Sequence, residues 1–237
     1  SQSPLLFDND LQAKLAYEAV KNPEEFIEKY EEEVVIRQGE GLYTETAPDI
    51  NGEIDELWDN APRLSINRFH QAWSTATGVA RVLWDKDFLY VLYEVNDSEL
   101  DDTHNDAWEQ DSVELFLDQT NGKAPNYSVN PGVGQYRVNF KNEVSFGSGD
   151  AYEGFESAVK VNGTSYVVEM KIPFTEVDPE NNTIIGFDLQ VNDAADGSRD
   201  GVATWNDTTG QGFGDPSVFG ELILVNSIEE GPDNEVI

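Results

Sequence analysis

The residues whose types and spacing suggest chemistry fall in three alternating stretches. In residues 108–118, Val113, Leu115 and Leu117 share one parity, while Ser112, Glu114, Phe116 and Asp118 share the other. In residues 136–140, Tyr136, Val138 and Phe140 take one face and Arg137 and Asn139 the opposite one. In residues 187–192, Phe187, Leu189 and Val191 alternate with Asp188, Gln190 and Asn192. If these strands are neighbours, one sheet surface carries a carboxylate, a guanidinium and several amides. Alternation alone would produce an ordinary solvated face. Exposed strands favour Thr and other strand formers, however, and Asn is depleted in strands. Amides beside an Arg–Glu pair are instead the groups that hold several hydroxyls at once through directed hydrogen bonds.

A ligand rich in hydroxyls also presents C–H faces, which an aromatic plane covers well. Trp108 follows an acidic run with only Ala107 as apolar company, and Phe213 sits between Gly212 and Gly214. Both lack the apolar surroundings of Trp84 or Phe116. Six extended residues span about 20 Å, so Trp108 and Glu114 can serve one site only if residues 108–111 bend.

The elements that must position these side chains are strands. Residues 79–84 and 88–95 read as a hairpin around Asp85-Lys86-Asp87, and 155–161 with 165–172 as a hairpin through Asn162-Gly163. Residues 144–146, 184–191 and 221–225 complete the strand-like set, and Asn51-Gly52 marks a turn. Many short strands with polar turns predict an all-β fold, an antiparallel β-sandwich of jelly-roll or immunoglobulin-like type over residues 46–226. Residues 1–45 read differently. Asp8 or Asp10 caps a first predicted helix, and Pro23-Glu24-Glu25 opens a second, which together form a short helical appendage. Residues 227–237 read as an acidic tail.

Composition narrows the function classes. The 237 residues include 14 basic and 47 acidic side chains, a formal net charge of −33. Phosphate recognition needs clustered Lys and Arg, so a nucleic-acid partner is not expected, nor is an anionic membrane surface. No apolar run reaches the ~18 residues of a membrane span. The chain has no cysteine, which removes disulfides, thiolate metal sites and a cysteine nucleophile. His70 and His104 are the only histidines and lack metal-ligand spacing, which suits surface or rim positions.

Two resemblances add to this reading. Pro4-Leu5-Leu6-Phe7-Asp8, with Lys14 and Ala16-Tyr17, resembles the end of a family 10 xylanase catalytic barrel. Residues 46–226 resemble a family 9 carbohydrate-binding module. The matching motifs include residues 51–58, Val82-Leu83-Trp84-Asp85, Trp108-Glu109-Gln110-Asp111-Ser112-Val113-Glu114, Arg137-Val138-Asn139, Gln190-Val191-Asn192-Asp193 and Asp215-Pro216. The second resemblance implies a module that grips the terminal sugar, typically the reducing end, of xylan or cellulose chains between two aromatic rings. Trp108 would be one ring, and Phe213 the other, where the family pattern has Trp. Glu114, Arg137, Asn139, Gln190 and Asn192 would form hydrogen bonds to glucose, xylose, cellobiose or longer chains. Structural calcium is the implied metal, with Glu53, Asp55, Asp97 and Asp111 as oxygen ligands near strand ends. The implied parent is a secreted endo-1,4-β-xylanase whose catalytic domain and leader lie upstream.

Two other classes compete with this. A glycosidase would need two carboxylates across a cleft, and a Glu114 beside Arg137 has its pKa pushed the wrong way for a general acid. A haem-binding sandwich would need Met and His as axial ligands. Met170 alternates with Val168 and Ile172 and reads as core.

Overall fold

The computed structural model describes Lys21 and residues 36–71, 76–149 and 152–228; the expected N-terminal helices and acidic tail lie outside them. The chain divides into two compact units, Ser1–Val35 and Ile36–Ile237. In the second unit the described helical segments are three short 3-10 turns, at Glu56–Asn60, Ala107–Glu109 and Pro216–Val218.

Thirteen strands carry the fold: β1 (Gln38–Tyr43), β2 (Leu64–Ile66), β3 (Arg68–Gln71), β4 (Thr77–Trp84), β5 (Phe88–Asn96), β6 (Ser112–Asp118), β7 (Val133–Asn139), β8 (Val144–Gly149), β9 (Glu156–Asn162), β10 (Ser165–Pro173), β11 (Thr183–Ala195), β12 (Ser198–Thr204) and β13 (Gly220–Val225). All belong to one sheet, ordered β8-β7-β6-β11-β13-β1-β4-β5-β10-β9, with β12 on β11 and β3, and β2 on β4. Every pairing is antiparallel except those of β1, which runs parallel to β13 and β4.

This corrects the expected two-sheet sandwich. The ladders β13–β1–β4 join what would have been separate sheets into one ribbon that curls into a nearly closed barrel. The joining strand is β1, Gln-Gly-Glu-Gly-Leu-Tyr, which precedes residue 46, where the strand pattern was expected to begin. Packing explains those glycines. A Cβ on Gly39 would come within 2.8 Å of the Leu64 side chain and 3.0 Å of the Trp205 ring. The Trp84 indole N–H donates to Gly41 O at 3.0 Å and Val225 O at 3.2 Å, so one side chain ties together the three strands at the junction.

The inner faces of β4, β5 and β10 meet those of β6, β7, β11 and β13 in one core. Val113, Leu115 and Leu117 lie there, as their parity predicts, and so does Met170. Both expected hairpins form. Asp85 Oδ1 accepts from the N–H groups of Asp87 and Phe88, and Gly163 takes a φ of 68° in the β9–β10 turn. The ribbon ends at β8 and β9, where side chains close the barrel in place of a ladder. Ser157 Oγ donates to Asn142 Oδ1 at 2.8 Å, and Phe146 stacks on Tyr152 with centroids 4.2 Å apart. Tyr136 and Phe155 pack into the same aromatic group.

Candidate functional site

The three polar faces do meet. β6 lies between β7 and β11, with Glu114 opposite both Arg137 and Gln190. Over this surface opens a cleft of about 660 Å³, lined by Trp108, Glu114, Gln135, Arg137, Gln190, Arg199 and Phe213 among others. The face is nevertheless buried, with Glu114 only 1% exposed. Its carboxylate accepts from Arg137 Nε (2.8 Å) and Nη2 (3.1 Å), Gln135 Nε2 (2.5 Å), Asn192 Nδ2 (2.8 Å) and Gln190 Nε2 (3.4 Å). Burial alone would push this carboxyl up. The Arg137 charge and the converging donors outweigh it and hold Glu114 below the usual carboxylate range. Glu114 therefore organises the donors of the cleft floor, since protein groups already occupy its own acceptor positions.

The bend that Trp108 requires is present. The 3-10 turn Ala107–Glu109 folds the chain back, leaving Trp108 47% exposed at the rim. Asn139 supports that turn from behind. It donates to Gln110 Oε1 at 3.1 Å and Glu143 Oε2 at 2.8 Å, and accepts from the N–H groups of Lys141 and Glu143. Asn139 is thus spent on loop structure and does not line the cleft. Asn192 lies beneath it, bonding Glu114 and Ser112 Oγ and accepting from Gln190 and Arg199.

Phe213 is 59% exposed and lines the same cleft. Its loop is held by Asp207, which accepts from Thr209 N and Gly212 N, and by the Tyr127 hydroxyl on Gly212 O at 2.6 Å. The loop is anchored in turn by Asp188, whose carboxylate accepts from the N–H groups of Leu189, Asn206 and Asp207. Burial pushes the Asp188 carboxyl up to about 7 against those donors. The folded chain then keeps a proton that an unfolded Asp loses near pH 3.9, so stability falls as pH rises from about 4 through 7. The span is worth of order 4 kcal/mol. Urea unfolding at a series of pH values reads it, and a curve that rises over that window would contradict this placement of the proton.

A larger hollow of about 810 Å³ adjoins Leu42–Ala47 and residues 55–60. Its lining offers the carboxylates Glu45, Asp49, Asp55 and Glu56 but only one amide, Asn60, and no guanidinium. It lacks the donor array that makes the first cleft selective.

Where β5 ends, β6 begins and β11 nears its end lies a compact acidic group. Ligand oxygens of Asp97, Asp111 and Asp193 fall within 4.8 Å of one another. Asp97 Oδ2 is buried with no hydrogen-bond partner, as is the Tyr166 hydroxyl, which lies within the field of all three carboxylates. Burial pushes both Asp97 and Asp111 up; the Asp193 charge adds to the rise at Asp97, and the Asp97 charge to the rise at Asp111. Three buried carboxylate oxygens aimed at one point beside an orphaned acceptor suit a metal cation. Glu53 and Asp55, the other expected ligands, are not part of this group. Glu53 pairs with Lys160, and Asp55 Oδ1 caps the 3-10 turn at Leu57 N. The sequence reading missed Asp193, Gln135 and Arg199. Gln135 shares the parity of Arg137 one residue before the predicted strand, and Arg199 is brought in only by the pairing of β12 with β11. The His70 side chain lies outside the described residues, and His104 accepts from Asp106 N on a half-exposed loop.

Two-carboxylate hydrolysis needs a protonated acid and a second carboxylate. Glu114 is the one carboxylate in this cleft lining, and its neighbours hold it ionised. A cleft that combines a donor-rich floor with two exposed rings suits a polyhydroxylated ligand, and that places the protein among carbohydrate-binding modules. Comparison with known proteins gives the family. The family model described as carbohydrate family 9 binding domain-like matches residues 50–227, and the chain belongs to that family. The chain is similar to endo-1,4-beta-xylanase A of Thermoanaerobacterium saccharolyticum, 44% identical over 178 residues that cover 75% of this chain and 15% of the relative. It is equally similar to exoglucanase XynX of Acetivibrio thermocellus, 44% identical over 178 residues covering 75% of this chain and 16% of that protein. The chain thus spans about a sixth of the length of these curated relatives. Among solved structures, it resembles a family 9 module from Caldicellulosiruptor kristjanssonii in complex with cellotriose, with a TM-score of 0.75 and 32% identity. That match covers 85% of this chain and 98% of the other. The same organism's module in complex with glucose matches at a TM-score of 0.74 and 31% identity, covering 84% and 99%.

Proposed function

We propose that the cleft receives the terminal sugar, at the reducing end, of xylan or cellulose chains, with Trp108 and Phe213 stacking on the two faces of the ring. Arg137, Gln190 and Gln135 then meet its hydroxyls, held in place by Glu114 and Asn192, while Asn139 acts through the Trp108 turn. The observation that carries this reading is that two exposed rings, Trp108 and Phe213, line one cleft with a donor-rich floor. The likeness to modules solved with cellotriose and glucose supports the choice of sugar. In this reading the module tethers a secreted xylan-degrading enzyme to its substrate, as the xylanase relatives suggest. The ion at Asp97, Asp111 and Asp193 is calcium, which prefers hard carboxylate oxygens and fills its coordination with carbonyls and water.

Trp108→Ala is expected to weaken cellobiose binding roughly tenfold to a hundredfold, the loss of about 1.5–3 kcal/mol of ring burial. Phe213→Trp is expected to tighten it, because a larger and more electron-rich face stacks better. Intrinsic tryptophan fluorescence or calorimetric titration measures both. Borohydride-reduced cellobiose tests the reading of the reducing end. Equal affinity for the reduced and unreduced sugars, or normal binding by Trp108→Ala, would rule out this arrangement.

A further inference from the structure

The charge of the cleft is opposite to that of the chain. Acidic residues outnumber basic ones 47 to 14 overall, yet the cleft lining contains two arginines and a single carboxylate. Arg137 and Glu114 neutralise each other at 2.8 Å. Arg199 is left over. Its backbone N–H is held by Glu109 Oε2 at 3.1 Å, and its Nη1 donates to Asn192 Oδ1 at 3.1 Å. Its Nε is buried with no partner, and no described carboxylate forms an ion pair with the guanidinium.

A guanidinium partly withdrawn from water without a counter-ion is costly to keep. In a chain with so few cations, that arrangement suggests an anion supplied from outside. The Nε edge is sealed from solvent, so a ligand meets the Nη1–Nη2 edge, whose planar fork matches a carboxylate with two parallel hydrogen bonds, whereas a neutral hydroxyl engages one donor and leaves the charge unbalanced.

We infer that Arg199 reads a carboxylate on the bound sugar, so that the cleft prefers acidic sugars to their neutral counterparts. This rests on the carbohydrate reading of the cleft and adds a substrate class to it. Two sources would present the same group: a uronic acid unit borne by the polysaccharide, or a chain end oxidised to the aldonic acid.

Calorimetric titration at about 0.15 M salt screens the chain's long-range repulsion of anions beyond about 8 Å, leaving the local contact to be read. The ligands are cellobiose, cellobionic acid for the aldonate and a glucuronyl-glucose disaccharide for the uronate. At least one acid is expected to bind about tenfold tighter than cellobiose, a ratio typical of one added charge-assisted contact. The acid that shows the gain identifies the source. Arg199→Gln is expected to bring the acid-to-neutral ratio to about one or below, and Arg199→Lys, which keeps the charge but loses the fork, to leave it intermediate. Thermal unfolding of both variants confirms that they are folded. If cellobiose binds and neither acid binds tighter, or if Arg199→Gln leaves the ratio unchanged, the inference is overturned while the cleft remains a neutral-sugar site. If none of the sugars binds, the proposed function fails together with it.

Discussion

Replacing Arg137 with methionine is expected to lower the unfolding free energy by about 3–5 kcal/mol and to abolish sugar binding. Glu114 is almost fully buried and carries its charge only because the guanidinium lies 2.8 Å away. Amides from Gln135, Asn192 and Gln190 also converge on it, but they bring dipoles and no compensating charge. Without Arg137 the carboxylate must either remain ionised in a medium that disfavours it or take up a proton, which breaks the donor array. For a domain of this size the loss corresponds to a fall of roughly 6–20 °C in Tm. The double variant Glu114→Gln/Arg137→Met separates stability from function. Removing both charges is expected to recover much of the lost stability, because a buried pair is often near neutral against uncharged replacements. Binding would not return, because the guanidinium is also a donor to the ligand. A drop below 1 kcal/mol for Arg137→Met, measured by urea unfolding, would show that the pair is better hydrated than its burial implies.

The second large effect concerns the acidic group Asp97, Asp111 and Asp193. With calcium at a hundred times its dissociation constant, the native state gains about 2.7 kcal/mol, or roughly 5–10 °C in Tm. Asp97→Asn is the informative variant. Asp97 Oδ1 accepts from Ser98 N and Glu99 N, and an asparagine carbonyl can retain both bonds. Asp97 Oδ2 is the orphaned oxygen, and an amide nitrogen in its place can donate to Asp111. The variant is therefore expected to be about as stable as the wild type in chelator, since Asp97 no longer repels Asp193. It is also expected to lose the calcium-dependent rise. Scanning calorimetry with and without calcium tests both halves. A wild type whose Tm ignores calcium and chelator alike would rule out a structural ion at this position.

The cleft floor was legible because period-two alternation survives any later curvature of the sheet. Glu114, Arg137 and Gln190 share a face whether their sheet is flat or closed. The Asn162-Gly163 and Asp85–Asp87 turns were legible for local reasons, a left-handed glycine and an Asp side chain bonding its own loop. Curvature was not legible. Nothing in Gln38–Tyr43 announces a strand, because Gly39 answers to Leu64 and Trp205 and Gly41 to Val82, Leu222 and Leu224, which pack against them from far along the chain. The metal group left a fainter trace. Asp97, Asp111 and Asp193 each continue the core-facing parity of their strand ends, after Val95, before Val113 and after Val191 respectively. An acid on the apolar side of a strand must find a partner, and three of them at strand ends found one another. Arg199 had no such marker, since only β12 lying along β11 gives it an address.

The parallel strand β1 also sets the order in which the molecule can be made. Gln38 pairs with Glu221, so the ladder that joins the two halves of the ribbon links the first described strand to the last. Contacts so distant in sequence form late and slowly, because the loop between them must be ordered first. A growing chain emerging from the ribosome can form the β4–β5 and β9–β10 hairpins early, but the ring waits for β13. Until then β1 and the Thr183–Phe187 stretch of β11 present unsatisfied edges, the condition under which strands pair with the wrong neighbour. The heavy negative charge along the chain keeps such unfinished copies apart, so the surplus of acids protects the protein most during its synthesis.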